Sequence, residues 1–340
     1  LINGTLYSQC GQVSINILLI SPYNINSFGG VQNQIESIKS YLNNKTQYDC
    51  KVAGPNSSVF DIGNTINVPF NGSVSPVCLF PNKQVLKNAI RWSDVIHVHE
   101  PFVPLTFWKM PKHKNYIFTH HASLSLFICF LIKILYFFIG RKGLSTHVSE
   151  LAKNNALALS SSTNLIPNMF SLNKDVKFEQ NKHILFIGRD EKRKNLSLYK
   201  KYVKNYYDSS FKYSAITNKT FDNNLINTFI NPSDSKKNKI LQESDIYLAL
   251  NTHGESFGIT LIEAINAGNI VISSDLKAFK SLLGHTGLYF QNNSLKSLNH
   301  LIEKIKISNI ANIWEEQNKQ IQKYDIKKNM DKFISLYLSF

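Results

Sequence analysis

The sequence predicts an α/β protein with two domains, each built around a parallel β-sheet. Short apolar strand patterns alternate with amphipathic helix patterns through two similar halves of the chain. The 340 residues are enough for two domains that each bury a core. Candidate ligand-binding residues follow the strands, where doubly wound sheets bind their ligands. We expect the first domain over residues 1–170 and the second over residues 171–325.

The composition is that of a folded, strongly basic protein. Hydrophobic residues make up 43% of the chain and charged residues 18%, which excludes wholesale disorder. The formal charge of +15 would attract nucleic acid, an anionic membrane or the phosphates of a nucleotide-sugar. The sequence has no zinc finger or RNP-like aromatic run, so we expect no nucleic-acid partner. The four cysteines are scattered and Leu1–Ser14 lacks the pattern of a signal peptide, which indicates a reducing compartment.

The first domain begins with a strand, a glycine pair and a helix, as doubly wound folds do. The strand pattern is Val13–Pro22, Gly29 and Gly30 form the turn, and Gln32–Leu42 has helical periodicity. The glycine pair lacks the GxGxxG spacing of a dinucleotide site, so a simple tight turn is the alternative interpretation. Further strands are expected at Cys50–Gly54, Ser93–His99, Tyr116–Ala122 and Leu144–Ser149, and further helices at Asn82–Trp92 and Leu151–Ala158. Asp61–Phe70 is expected to form a polar hairpin.

The most apolar run of the chain is Leu124–Ile139, within the first domain. It falls short of the length that spans a bilayer and carries Lys133 near its centre, so a transmembrane helix is disfavoured. Apolar residues cover nearly all of its faces, more than a surface helix of such a domain requires. Two interpretations remain: a buried helix, or an interfacial helix whose lysine extends to the lipid headgroups.

The second domain begins with the strand His183–Gly188, which runs into a cluster of cations. Arg189, Arg193 and Lys194 lie before the following helix. Guanidinium and ammonium groups at a strand end suit a diphosphate, although a solvated basic turn would have the same composition. Later strands are expected at Tyr213–Asn218, Ser244–Leu250 and Ile270–Ser273, and helices at Ser235–Gln242, Leu276–Leu283, Leu295–Ile307 and Trp314–Phe340.

The stretch Asn251–Asp275 places a glycine-containing loop before a helix. The helix is expected over Ile259–Ala267, with Gly268 as its C-terminal cap. Backbone N–H groups and the helix dipole make its N-terminus a site for an anion. Glu255 and Glu263 lie eight residues apart, so they cannot share one metal closely but can bind hydroxyls at two ends of an extended ligand. One capping and one solvated glutamate are the alternative interpretation.

The run from Gly254 to Phe279, GESFGITLIEA…AG…SDLKAF, resembles the two-glutamate signature of the family-four retaining glycosyltransferases. It is particularly similar to the phosphatidylinositol mannosyltransferase branch of that family. The resemblance extends from Ile15 to about Phe340. It implies the GT-B fold, in which two Rossmann-like domains face each other across a cleft. It also implies that a closing helix, residues 326–340, returns to the first domain.

The resemblance assigns a role to each candidate site residue. Arg189 and Lys194 would stabilise the departing diphosphate, and Arg193 could substitute for Lys194 because the spacing is one residue shorter than in the lipid mannosyltransferases. His121 would lie at the junction of sugar and acceptor, with His120 as the alternative. The catalytic set would be His121, Arg189, Lys194 and Glu255. The donor would be bound by Gly29, Gly30, Arg189, Lys194, Glu255, Ser256, Phe257, Gly258, Ile259 and Glu263.

The implied reaction is transfer of a hexose from a nucleotide-sugar to a hydroxyl acceptor, with no cofactor and no essential metal. The first candidates are mannose from GDP-mannose and a phosphatidylinositol or related glycolipid acceptor, held by Tyr23, Asn26 and Gln32. Asn26 stands where relatives often have an acidic residue. Such an enzyme would be cytoplasmic and peripheral on the inner face of the membrane. The alternatives are a UDP-sugar-dependent glycosyltransferase with a soluble or polysaccharide acceptor, a GT-B epimerase, and a binding protein without turnover.

Overall fold

Two parallel β-sheets, one in each half of the chain, form the framework of this computed structural model. The structure describes residues 14–27, 29–70, 73–103, 115–122, 124–139, 143–255, 257–306 and 308–340. The two parallel sheets confirm the α/β fold class that the alternation of strand and helix patterns predicted. The domain boundaries inferred from the sequence stay a proposal.

The first sheet has seven strands. The strands of this half are β1 (Ile15–Ile20), β2 (Tyr48–Gly54), β3 (Phe60–Asp61), β4 (Ile66–Phe70), β5 (Ser73–Val77), β6 (Val95–His99), β7 (Tyr116–His120), β8 (Leu144–His147) and β9 (Thr163–Leu165). Its helices are α1 (Gly30–Asn43), α2 (Lys83–Trp92), α3 (Leu126–Ile139) and α4 (Lys153–Leu159). The sheet order is β3-β2-β1-β6-β7-β8-β9, and β4 and β5 form a separate antiparallel hairpin.

The second sheet has six strands in the order β12-β11-β10-β13-β14-β15. These strands are β10 (His183–Ile187), β11 (Lys212–Thr217), β12 (Asn227–Ile230), β13 (Ile246–Ala249), β14 (Ile270–Ser274) and β15 (Leu288–Phe290). The helices of this half are α5 (Leu196–Asn205), α6 (Asp234–Gln242), α7 (Ile259–Asn266), α8 (Lys277–Leu283), α9 (Leu295–Lys306), α10 (Ile310–Ile321) and α11 (Ile326–Tyr337).

Each sheet reverses its strand order beside its first strand. β1 pairs in parallel with both β2 and β6, so that Ile17 lies opposite Cys50 on one side and Val95 on the other. β10 pairs in the same way with β11 and β13. Loops that leave such neighbouring strands in opposite directions open a crevice at the carboxyl ends of the strands. The fold thus provides one binding crevice per sheet.

Alternation along β1 fills a separate core on each face of the first sheet. Ile17 and Leu19 pack on one face, whereas Leu18 and Ile20 pack on the other. A strand buried on both faces reads as a continuous apolar run, which is how the sequence of β1 predicted it. The second domain has one extended core, which contains Leu185, Tyr199 and most of α7.

The last helix, α11, completes the core of the first domain. Its residues Met330, Phe333 and Tyr337 are buried among side chains of β1 and α1. The chain crosses between the domains twice, and the two crossings lie side by side. The N–H of Phe170 donates to the carbonyl of Tyr324, and the N–H of Ile326 donates to the carbonyl of Phe170. The expected return of the closing helix is therefore confirmed.

Three features of the elements differ from the sequence interpretation. The polar hairpin expected over Asp61–Phe70 is formed instead by β4 and β5, from Ile66 to Val77. The helical stretch expected over Trp314–Phe340 is divided, because α10 ends at Ile321 and Asp325 caps α11 by accepting the N–H of Lys327. The short strands β3, β12 and β15 were not foreseen. Within the described ranges, no helix is both long and apolar enough to cross a membrane.

Candidate functional site

Two helix N-termini, one from each domain, meet at the carboxyl ends of the two sheets. α1 begins at Gly30, directly after β1, and α7 begins at Ile259, after β13. A Cβ atom placed on Gly30 would lie 2.7 Å from Cδ1 of Ile259. The glycine is therefore what allows the first turns of the two helices to approach. Phe28 and Ser256 lie outside the described residues.

Among the described residues, no side chain caps the backbone N–H groups at either helix N-terminus. Gly29 caps α1 and Gly258 caps α7, so neither cap offers a side-chain acceptor, and neither first turn contains an acidic residue. Gly258 has φ 102, a left-handed conformation that favours glycine, and the ring of Phe279 would lie 3.1 Å from an added Cβ. Two positive dipole ends with orphan donors are suited to a diphosphate.

A cluster of cations lies beside the loop that leads into α7, held by two glutamates. Nη1 of Arg193 lies 3.0 Å and Nζ of Lys194 lies 2.6 Å from Oε1 of Glu255. On the other side, Glu191 accepts from Nε of Arg193 at 2.8 Å and pairs with Nε of Arg189 at 3.1 Å. Three cations face two carboxylates, so the cluster keeps one net positive charge for an anionic ligand.

Local backbone geometry sets the directions of these cations. A 3-10 turn, Lys192–Lys194, follows β10, and Asn195 starts α5 in the left-handed region with φ 60. The carbonyl of Arg193 accepts the N–H of Thr252 at 2.8 Å, which ties the turn to the loop after β13. Both Arg193 and Lys194 therefore point at that loop. The sequence had placed Lys194 first and Arg193 as its substitute, whereas the structure brings both to Glu255.

Glu255 receives three donors on one oxygen. Nδ2 of Asn251 lies 2.5 Å from Oε1, beside the two cations. Among the described residues no donor lies on Oε2, which leaves that oxygen to accept from a ligand hydroxyl. Asn251 and Glu191 were not foreseen from the sequence. Asn251 carried a usable signal, since it directly follows the predicted strand Ser244–Leu250, but Glu191 looked like one more charge in a basic turn.

Two further donor-site candidates, Glu263 and Phe257, lie in α7 or directly before it, and each contacts a different part of the molecule. Glu263 accepts from Nζ of Lys237, on α6, at 2.7 Å, one turn further into α7 than the cation cluster. The ring of Phe257 packs edge-on against Tyr324 at 5.2 Å and near Phe170. Its side chain therefore belongs to the crossing between domains, and only its backbone can face a ligand.

Histidines and a glutamate line the crevice of the first sheet. His121 follows β7 and is buried, with Nε2 at 3.0 Å from Nδ1 of His99. Burial lowers the pKa of His121 to about 3, so its ring is neutral at physiological pH. His120 points elsewhere, because its ring packs against Phe102 at 4.8 Å. Glu100 directly follows β6 and accepts the backbone N–H groups of His121 and Ala122.

Of the three acceptor-site candidates, Tyr23 and Asn26 lie in the loop between β1 and α1, and Gln32 lies in the first turn of α1. Gln32 folds back over this loop and donates to the carbonyl of Asn24 at 3.0 Å and to Oγ of Ser27 at 2.9 Å. Asn26 is exposed, while the ring of Tyr23 is largely enclosed, and burial raises the pKa of its hydroxyl. The side-chain amide of Asn26 is thus exposed, whereas that of Gln32 is held by hydrogen bonds to the loop. Their role toward an acceptor stays a prediction.

Metal ligands are not grouped in the part of the chain that the structure describes. Within those ranges, no set of three or more His, Cys, Asp or Glu side chains is placed to hold a metal ion. The buried histidines instead bond to one another and to hydroxyl groups.

Comparison with known proteins agrees with this geometry. Residues 170–328 match the family model described as glycosyl transferases group 1, which spans the second domain and the start of α11. The chain carries a group 1 glycosyltransferase domain. Of the curated relatives of this glycosyltransferase, phosphatidyl-myo-inositol mannosyltransferase of Mycobacterium leprae (strain TN) is 29% identical, over 79% of the chain and 81% of the relative. The protein of that name from Mycobacterium tuberculosis (strain ATCC 25618 / H37Rv) is 28% identical, over 79% and 80%.

Solved structures place the glycosyltransferase in the GT-B fold. Anabaena Alr3699/HepE, in complex with UDP and glucose, superposes with a TM-score of 0.70 at 13% identity, covering 96% of this chain and 100% of that one. Trehalose-6-phosphate synthase OtsA superposes with a TM-score of 0.66 at 12% identity, covering 96% and 99%. At such identities the superpositions establish the fold alone.

Proposed function

We propose that the enzyme transfers mannose from GDP-mannose to a hydroxyl of phosphatidylinositol or a related glycolipid, at the cytoplasmic face of a membrane. The observation that carries this proposal is the apolar surface of α3, directly after the His121 loop of the crevice. The printed names of the curated relatives support the same donor sugar and the same acceptor class.

The donor diphosphate would lie between the two helix N-termini. Arg193 and Lys194 contact Glu255 in the loop before α7, and each retains N–H groups beyond those that bind the glutamates. They would stabilise the charge that develops on the leaving diphosphate, together with Arg189. One preorganised donor of this kind contributes about 3–4 kcal/mol to transition-state stabilisation. No metal or cofactor is needed in this scheme, because the cations supply the positive charge.

The sugar and the ribose would be bound by the two glutamates of the signature. Oε2 of Glu255 faces no donor among the described residues, so it is available for a sugar hydroxyl. Glu263 lies deeper along α7, paired with Lys237, in a position to bind the ribose. His121 would accompany the sugar at the reacting carbon, as a neutral hydrogen-bonding group. We propose that transfer retains the anomeric configuration, which NMR of the product would establish.

A membrane contact would explain the surface of α3. Seven of its described apolar side chains are between 39% and 71% exposed: Leu126, Phe127, Ile128, Phe130, Leu131, Ile134 and Leu135. Such a continuous apolar surface marks an interaction site. Cys129 holds the opposite side of the helix against Asn155 of α4. Lys133 is exposed on the same helix, where its ammonium group can reach an anionic headgroup.

Vesicle sedimentation tests the membrane part of the proposal. The wild type should sediment with vesicles that contain phosphatidylinositol, and the double variant Phe127→Ser/Phe130→Ser should stay in the supernatant. Leu225→Ser is the matched control, since Leu225 is an exposed apolar residue of the second domain. Equal sedimentation of the wild type and the double variant would reject α3 as the membrane contact.

Calorimetric titration with nucleotides tests the donor part separately. GDP should bind the wild type more tightly than UDP, and Arg193→Ala should weaken the binding of GDP by about tenfold or more, because one charge-assisted contact is lost. Preference for UDP would replace GDP-mannose with a UDP-sugar and favour the alternative acceptor classes.

A further inference from the structure

A buried glutamate of the first sheet has no role in the scheme above. Glu100 directly follows β6, at the point where the strand order reverses, and is 5% exposed. Its φ is 52, in the left-handed region that non-glycine residues rarely adopt. Residues held in such conformations cluster at functional sites, where the surrounding contacts maintain them.

The contacts of Glu100 explain what holds it there. Its Oε1 accepts the N–H groups of His121 and Ala122, the latter at 2.6 Å, more than twenty residues further along the chain. Asn155 binds the other side of the same segment, since its Nδ2 donates to the carbonyl of Ala122 at 2.6 Å and its Oδ1 accepts the N–H of Leu124. Two buried side chains therefore hold the segment that carries His121 and leads to α3.

We propose that Glu100 is a positioning residue for sugar transfer: its carboxylate fixes the backbone of His121 and of the segment before α3. The proposal rests on the proposed function, in which His121 lies beside the sugar. Ionised acceptors bind N–H groups more strongly than neutral ones, so the segment is held best when Glu100 is charged. Protonation of Glu100 would weaken this hold and with it the placement of His121.

The ionisation of Glu100 falls in a range where its neighbours do not titrate. The two backbone N–H groups that bind Glu100 lower its pKa, but burial has the larger effect and raises the pKa to about 7. Burial lowers the pKa of His99, of His120 and of His121, and burial together with the Glu100 carboxylate raises the pKa of Tyr23. These neighbours come from β6, from the end of β7 and from the loop after β1. Among them and Glu100, only Glu100 changes charge between pH 6 and 8.

A pH profile of kcat/KM tests the proposal. The wild type should lose about tenfold of its activity between pH 8 and pH 6, as expected for one essential ionisation near 7. Glu100→Gln should show a lower and flat profile, because its amide oxygen still accepts both N–H groups but does not titrate. Glu100→Ala should lose most activity at every pH. Glu36→Gln, on the exposed side of α1, is the control that should keep the wild-type profile.

Thermal unfolding provides a readout that needs no substrate. The folded-state pKa of Glu100 is raised above its ordinary value of 4.5, so the stability it contributes is present below pH 4.5 and lost by about pH 7. The melting temperature of Glu100→Gln relative to the wild type should therefore rise between pH 5 and pH 8. A constant difference would overturn the assigned ionisation.

The two readouts separate the possible failures. If the wild type turns over a donor and Glu100→Gln keeps the wild-type pH profile, the positioning role is wrong while the proposed function stands. If the wild type turns over no donor although the melting difference rises with pH, the proposed function is wrong and the positioning role falls with it.

Discussion

At the scale of single residues, the site depends on one carboxylate oxygen. Oε1 of Glu255 accepts hydrogen bonds from Arg193, Lys194 and Asn251. This glutamate therefore positions the cations that would bind a diphosphate. Because the cations are also restrained by Glu191, their positions exist before any ligand binds. Preorganised charge of this kind avoids reorganisation during the reaction.

Glu255→Gln should lower kcat about 100-fold, because an amide cannot hold two cations and its own N–H groups repel them. The affinity for the nucleoside diphosphate should change much less, since both cations remain. Steady-state kinetics and calorimetry on the same preparation would measure the two effects. Glu243→Gln, an exposed glutamate of the same domain, should behave as the wild type. A kcat of Glu255→Gln within twofold of the wild type would contradict the assignment.

The residues of the site were predictable where a charge directly follows a strand. Arg189 was found in this way, whereas Glu255 was found through the glycine-containing loop that precedes a helix. The sequence could not show that Arg193 is buried at the cluster, because its direction depends on the 3-10 turn and on the left-handed Asn195. Nor could it show that Glu191 bridges two arginines, since a carboxylate in a basic turn is more often solvated.

At the scale of elements, α11 is joined to the first sheet by a directed chain of hydrogen bonds. Thr146 donates to the carbonyl of Phe118, which can only accept. The Thr119 hydroxyl must then donate to Thr146, and His97 must donate to Thr119 through Nε2. Nδ1 of His97 is left to accept from the hydroxyl of Tyr337, 2.8 Å away. This chain of bonds fixes the tautomer of His97, and the hydroxyl of Tyr337 on the last helix donates to it.

Tyr337→Phe should lower the free energy of unfolding by about 1–3 kcal/mol, because Nδ1 of His97 would be left buried without a donor. Urea unfolding, followed by circular dichroism, would measure the change. Tyr207→Phe removes a hydroxyl from a half-exposed ring and should have almost no effect. Equal stability of both variants would show that the chain of bonds contributes nothing.

Long, periodic elements were predicted well, while short ones were not. The apolar runs of β1 and β10 and the period of α1 determine their structure locally, so the sequence was sufficient. β3 has two residues and β15 has three, so their pairing depends on neighbouring strands that no local pattern reveals. The break between α10 and α11 has the same origin, since it follows from the pairing of Phe170 with Asp325.

At the scale of the whole molecule, the first domain contains several buried histidines that are neutral at physiological pH. Burial lowers the pKa of His97, His120 and His121 to about 3 and that of His99 well below its ordinary value. The stability contributed by these depressed groups is complete above pH 6.5 and is lost as pH falls toward 3. Each histidine lowers the free energy of unfolding by at most about 1.4 kcal/mol for each pH unit of acidification. The raised pKa of Glu100 acts in the opposite direction and offsets the contribution of one of the four histidines.

The protein should therefore lose stability steeply between pH 6.5 and pH 5. His120→Leu should reduce this loss, because the ring nitrogens of His120 have no hydrogen-bond partner among the described residues and an apolar side chain can replace the ring. Melting temperatures at pH 7.5, 6.5 and 5.5 would measure the loss, with the exposed His300→Asn as control. An identical pH dependence of the wild type and His120→Leu would contradict the account.

The cleft itself was predictable only through the resemblance to a family. Periodicity indicated two parallel sheets, but the contact of Gly30 with Ile259 joins residues more than two hundred positions apart. Similarly, the charge of +15 allowed several partners, and only the exposed apolar surface of α3 favours a membrane among them.

The most direct test of the central claim is transfer of labelled mannose from GDP-mannose by the purified enzyme, with and without phosphatidylinositol vesicles. We predict that label enters the lipid fraction only when those vesicles are present, and that the double variant Phe127→Ser/Phe130→Ser loses most of this transfer. Turnover of a UDP-sugar without any lipid, and none of GDP-mannose, would contradict the proposed donor, acceptor and membrane contact together.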